Sequence, residues 1–231
     1  MPSSSRVSSW LEASPAAGYL APFLTELLFL ALFARAPLDP RLEWPLRVLA
    51  GALVCFFCWP RELSLFPSRW LASAGVGAAV FALWIAPDLL FPGYRNSPLF
   101  ANAILGHASS SLPPGAIRSA WVLAWRTARA VLIVPIAEEL FWRGWMLRWL
   151  IKTDFQQVPL GAYAPFAFWV TAAFFGSEHG PYWDVGLLTG IVYNLWMIRS
   201  KSVADCIVMH AVTNALLSAY VIGWGQWQYW Q

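Results

Sequence analysis

Charge is what this chain has least of. Only 12% of its 231 residues are Asp, Glu, Lys or Arg, about half the share found in a soluble domain. Fifteen basic and twelve acidic residues leave a net charge of +3. The basic ones are spread through short connecting stretches, so there is no electrostatic surface for nucleic acid. Cysteine is scarce too: Cys55, Cys58 and Cys206 each fall in an apolar run. The Cys55-Phe-Phe-Cys58 spacing is one that redox or metal chemistry uses. No second Cys/His pair completes a metal site, however, and cysteine buries well as a small hydrophobe. The start, Met1–Ser14, is Ser-rich with one Arg. It lacks the apolar region and small-residue cleavage site of a secretory signal, so the first hydrophobic helix is expected to insert the protein and stay. With no internal repeat, low-complexity run or linker, residues 1–231 read as one domain.

What the chain has in excess is apolar surface. It is 59% hydrophobic with 16 Trp and a mean hydropathy of +0.54. Trp concentrates at membrane interfaces, and a spanning helix needs about 20 apolar residues. Spans are expected near Gly18–Ala34, Val48–Trp59, Trp70–Phe91, Ser119–Ile136, Ala164–Phe175, Val185–Ile198 and Val203–Ile222. The Pro-rich stretch Pro92–Ile117 is expected to be a loop or a short eighth membrane element, with His107 on its surface. The fold class is therefore all-α: a polytopic transmembrane bundle of about seven to eight helices around a polar cavity. With seven spans, Arg6, Arg61, Arg69, Arg143, Arg148, Lys152, Arg199 and Lys201 share one side, and Arg35, Arg41, Arg47, Arg95 and Arg118 the other. The positive-inside rule then places the N-terminus in the cytoplasm, for an integral protein of the bacterial inner membrane.

A few polar groups interrupt this apolar background. Glu138 and Glu139, with Arg143, close the run Val131-Leu-Ile-Val-Pro-Ile-Ala. Each carboxylate costs a few kcal/mol at bilayer depth unless paired or facing a polar cavity. Glu139 and Arg143 lie one helical turn apart and suit an ion pair, whereas Glu138 points about 100° away and is free for another task. The alternative is an ordinary charged helix end. His179 follows the next apolar stretch, and Gly180-Pro181 should stop the helix there, leaving His179 at a terminus facing a cavity or at the interface. Glu178 beside it is a second carboxylate. His210 and Asn214 share one face of the last helix, as interhelical glue or as an oxyanion-stabilising pair. Arg126 and Arg129 fall inside the fourth expected span; they would bind a substrate carboxylate or headgroup, or sit at the interface if that span starts later.

Taken together, Glu138-Glu139-x-x-x-Arg143, Phe175-x-x-x-His179 and His210-x-x-x-Asn214, in this order, resemble the signature of the CPBP family. These are the CAAX prenyl proteases of the Ras-converting type and their bacterial relatives, some of which accompany exosortase-type sorting systems. Gly186-Leu-Leu-Thr-Gly190 followed by Ile-Val-Tyr-Asn is similar to the small-residue helix of that family. The likeness covers roughly residues 130–219, the motif-bearing core, while residues 1–110 show hydrophobicity alone. It implies an all-helical membrane endopeptidase acting on a membrane-associated protein or peptide. Glu138 would then activate water with help from His179, His210 and Asn214 would stabilise the oxyanion, and Glu139 and Arg143 would orient Glu138. One departure is Glu178, where many relatives carry a small residue.

Two other readings use the same residues. Zinc accepts a donor set such as Glu138, His179 and His210, although no H-E-x-x-H is present; the glutamate mechanism needs no cofactor. A non-catalytic membrane scaffold or immunity-type protein would employ these residues as interhelical glue.

Overall fold

The computed structural model describes residues 14–230. The Ser-rich start, with Arg6, lies outside the described residues except for Ser14. Among the described residues seven principal helices follow one another: α1 (Ala17–Arg35), α2 (Pro40–Cys58), α3 (Trp70–Leu90), α4 (Ala120–Trp149), α5 (Pro165–Ser177), α6 (Trp183–Ser200) and α7 (Val203–Trp224). Among the described residues there is no strand, only an isolated bridge between Asn102 and Gly106. α1, α3, α4 and α7 are long and apolar enough to cross a membrane. α2 is as long as α1 but carries Arg41, Glu43 and Arg47, and α5 has 13 residues. The stretch between α3 and α4 is a loop with 3-10 turns at Tyr94–Asn96 and Ala116–Arg118, so the eighth element is not formed. His107 is exposed there.

Local chemistry sets the helix ends. Asp39 accepts a bond from Arg41 N ahead of Pro40, the first residue of α2, and Ser202 caps α7 by accepting from Asp205 N at 3.2 Å. Such caps satisfy amides that a helix leaves without partners. α7 ends at Gly225 (φ 68°), a left-handed conformation that glycine adopts without strain.

Packing inside the bundle depends on small residues. α3 lies along α7 and α5 along α6. A Cβ added at Gly77 would stand 2.3 Å from the Met209 carbonyl oxygen, and one at Gly176 would stand 2.8 Å from Leu187 N. Close backbone approach of this kind is how helices associate where lipid removes the hydrophobic drive. At the head of this packing, Asp205, fully buried, accepts bonds from Ser68 N and Oγ, Arg69 N and Ser73 Oγ. It pins the start of α3 to the first turn of α7. Leu28, Phe56, Leu71, Leu90 and Trp224 point outward, as lipid-facing side chains do. The chain is an integral membrane protein built as a helical bundle.

The fourth expected span needs correcting. It does not end at Ile136 but runs on to Trp149, 30 residues in all. The paired carboxylates are therefore inside a long helix and not at the edge of a run. Nothing breaks the helix between them and Trp149, because their charge is compensated within the bundle.

Candidate active site

α4 is wound more loosely on both sides of the paired glutamates. Arg129–Ile133 and Leu140–Met146 are π-helical, a geometry that recurs at functional sites. Pro135 gives the cause of the first segment. The Val134 amide bonds back to the Arg129 carbonyl, so the next amide in the same register would serve the Ala130 carbonyl. Pro135 has no N–H. Asn214 takes up that carbonyl from α7, donating from Nδ2 at 2.8 Å.

Glu138 and Glu139 then face opposite ways, as the 100° turn between them predicts. Glu139 is wholly buried. Its Oε1 accepts from Arg143 Nη1 at 3.1 Å and lies 2.9 Å from His210 Nδ1. Arg143, also fully buried, donates from Nε to Asn194 Oδ1 at 3.2 Å. Asn194 donates in turn to the Phe168 carbonyl at 2.9 Å. The guanidinium lies 4.4 Å from the Phe175 ring centroid and 5.2 Å from that of Tyr193. One ion pair thus ties α4, α5, α6 and α7 together inside an apolar shell, with Glu139 Oε2 and Arg143 Nη2 left without hydrogen bonds.

Glu138 instead lines a cavity of about 320 Å³, together with His179, His210 and Asn214. The structure brings all four candidate residues to one wall. Glu138 Oε2 is buried without a hydrogen-bond partner. His179 sits where α5 ends, its Nδ1 2.7 Å from the Phe175 carbonyl oxygen. A carbonyl only accepts, so Nδ1 carries the proton, and in the neutral ring Nε2 keeps a lone pair able to accept from water. Trp84 packs edge-on against this imidazole at 5.3 Å, and a Cβ at Gly186 would stand 3.1 Å from it. The His210 Nδ1–H serves Glu139, leaving the other ring nitrogen. Asn214 likewise keeps an N–H beyond the one given to Ala130. Asn214 therefore has a second donor to offer, whereas His210 offers one only when its ring carries a proton on both nitrogens.

Several placements differ from expectation. Arg126 and Arg129 lie within α4, which begins at Ala120 and not later, and both line the cavity. Arg129 is ion-paired with Glu26 of α1. Glu178 also lines the cavity and accepts from Trp142 Nε1 at 3.2 Å. Asn194 and Arg95 carry weight that the sequence reading did not assign. Arg95, buried, donates to the Pro181 carbonyl at 2.7 Å and to Asp184 at 2.9 Å, fixing the turn after His179. An Asn inside an apolar helix was the available signal for Asn194, whereas an Arg in a Pro-rich loop gave none for Arg95. The three cysteines are free thiols. Among the described residues no three His, Cys, Asp or Glu side chains converge as metal ligands.

Residues 120–216 match the family model described as type II CAAX prenyl endopeptidase Rce1-like. The matched stretch contains all three motifs and the whole of α4, α5 and α6. No curated protein and no solved structure matches the chain.

Proposed function

Proceeding from a membrane bundle whose residues 120–216 match the Rce1-like CAAX prenyl endopeptidase model, we propose that the protein is an intramembrane endopeptidase of the glutamate type. Its substrate is a membrane-associated protein or peptide. The observation that carries this reading is the convergence of Glu138, His179, His210 and Asn214 on one cavity within an otherwise apolar bundle. Buried polar groups without structural need are expensive there, and Glu138 Oε2 has no structural bond to make.

In the proposed reaction Glu138 takes a proton from a water that the free nitrogen of His179 helps to orient. The water oxygen attacks the carbonyl carbon of the scissile bond. The developing oxyanion is met by the second N–H of Asn214 and by Nε2–H of a His210 ring protonated on both nitrogens beside the Glu139 carboxylate; the Glu139 and Ala130 contacts fix both positions in advance. Preorganised donors of this kind stabilise the transition state more than the ground state. Glu139 and Arg143 hold α4 so that Glu138 keeps its orientation. The distribution of Lys and Arg supports a cytoplasmic N-terminus, and we propose a bacterial inner membrane as its location.

The test compares wild type with Glu138→Gln in liposomes against a panel of membrane-tethered peptides. Wild type is expected to cleave and the variant to lose about 10²–10⁴ of the rate. Equal cleavage by Glu138→Gln would refute the assignment.

A further inference from the structure

One carboxyl group on the cavity wall has no task in the mechanism above. Glu178, the residue after α5, lines the same cavity as Glu138, His179 and His210. α4 holds it there: Trp142, one turn beyond Glu138, donates its indole N–H to Glu178 Oε1. The second oxygen of Glu178 carries no protein hydrogen bond among the bonds formed here. Glu138, inside the bundle, and Glu178, an exposed residue, face one cavity of about 320 Å³, and the Glu138 charge there favours a proton on Glu178.

Peptide hydrolysis needs such a proton. Activating water is half of the work; the departing nitrogen must also be protonated, because an amide anion is too basic to leave. The Nδ1 protons of His179 and His210 are engaged by Phe175 and Glu139. The charged or titratable groups that line this cavity or act on Glu178 are Glu26 from α1, Arg126, Arg129, Glu138, Glu139 and Arg143 from α4, His210 from α7, neighbouring His179 and Tyr182, and Tyr229.

Resting on the endopeptidase reading, we propose that Glu178 is the general acid of the reaction, giving its carboxylic proton to the leaving amine while Glu138 serves as base. The atoms balance. Glu138 gains a proton as the water oxygen bonds to carbon. The C–N bond then breaks, its electron pair staying on nitrogen, and nitrogen takes the proton of Glu178. The products are a carboxylic acid and an amine. Passage of the proton from Glu138 to Glu178 through water restores both groups.

A structural Glu178 would only accept from Trp142, which Gln does equally well, so Glu178→Gln separates the two roles. It is compared with wild type and Glu138→Gln on a membrane-tethered peptide and on the matching aryl ester, whose phenolate leaves without protonation. Glu178→Gln is expected to lower kcat on the peptide about 10²-fold or more with KM unchanged. It should also remove the alkaline limb of the kcat profile, where the acid loses its proton, and cleave the ester within about threefold of wild type. Glu138→Gln should fail on both. Peptide cleavage by Glu178→Gln at the wild-type rate, or equal losses on peptide and ester, would overturn the assignment. If wild type cleaves neither compound, the endopeptidase reading itself falls and this role falls with it. Should the Gln variant not fold, Glu178→Asp carries the test: it keeps an acidic proton, and absence of the alkaline limb in that variant would overturn the role.

Discussion

Glu138 and Glu139 are chemically identical neighbours, and the structure assigns them opposite consequences. Replacing Glu139 with Leu leaves the Arg143 guanidinium fully buried with one neutral partner, Asn194, and two ring faces. Removing one member of a buried pair costs about 3–5 kcal/mol. At ~2–4 °C per kcal/mol for a chain of this size, the midpoint of thermal unfolding should fall by roughly 6–20 °C. Glu138→Gln removes a charge whose Oε2 has no partner, so the midpoint should move by less than about 1 kcal/mol equivalent, in either direction. Replacing both Glu139 and Arg143, by Leu and Met, deletes the pair as a unit and should recover most of the loss, as apolar substitution of buried pairs often does. Unfolding in detergent can be followed with a thiol-reactive dye, because Cys55 and Cys206 are buried and unbridged. Wild-type stability in Glu139→Leu, or a drop in Glu138→Gln as large as that of Glu139→Leu, would refute the division of labour. So would a double variant less stable than either single one.

Three further outcomes can be checked with the same preparations. Gly77→Ala should cost about 1–3 kcal/mol by forcing α3 off α7, since its Cβ would meet the Met209 carbonyl at 2.3 Å, while Gly75→Ala, with nothing within 4 Å, should be neutral or stabilising in the same melt. Asn214→Asp keeps the side-chain shape but not the donor to Ala130; leaving that carbonyl unsatisfied should cost about 1–3 kcal/mol, and peptide cleavage should fall by at least tenfold. Dialysis against a chelator should leave peptide cleavage unchanged; loss of activity restored by added zinc would replace the glutamate mechanism with a metal-assisted one.

How much of this was legible in the sequence depended on the price of polarity in an apolar chain. Seven helices were readable because each apolar run is bounded by Pro, Gly or charge, and the Glu139–Arg143 pair was readable because both lie one turn apart where neither can face lipid. α4 was misjudged because a hydropathy window treats charged residues as an end. In the folded chain the Glu139–Arg143 charges cancel within the bundle, and the helix continues for 30 residues. The sequence left Arg126 and Arg129 open between a binding role and the interface: the partner of Arg129 is Glu26 of α1, and no local pattern records that. The π-segments were not readable as such, although Pro135 is the visible cause of the first.

The Ala130–Asn214 bond shows why the site and the fold are hard to separate here. Pro135 frees a carbonyl at membrane depth, where an orphan acceptor costs several kcal/mol. The chain satisfies it with an amide from α7 rather than with water, and that choice brings Asn214, and His210 one turn before it, against the face of α4 that carries Glu138. The need to satisfy one backbone oxygen thus helps to position the proposed oxyanion donors. A proline that would be a defect in a soluble helix becomes, in this bundle, a reason for two helices to meet at a fixed register. Replacing Pro135 with Ala should therefore restore a helical donor to Ala130 and loosen the grip of Asn214, with catalysis suffering more than stability.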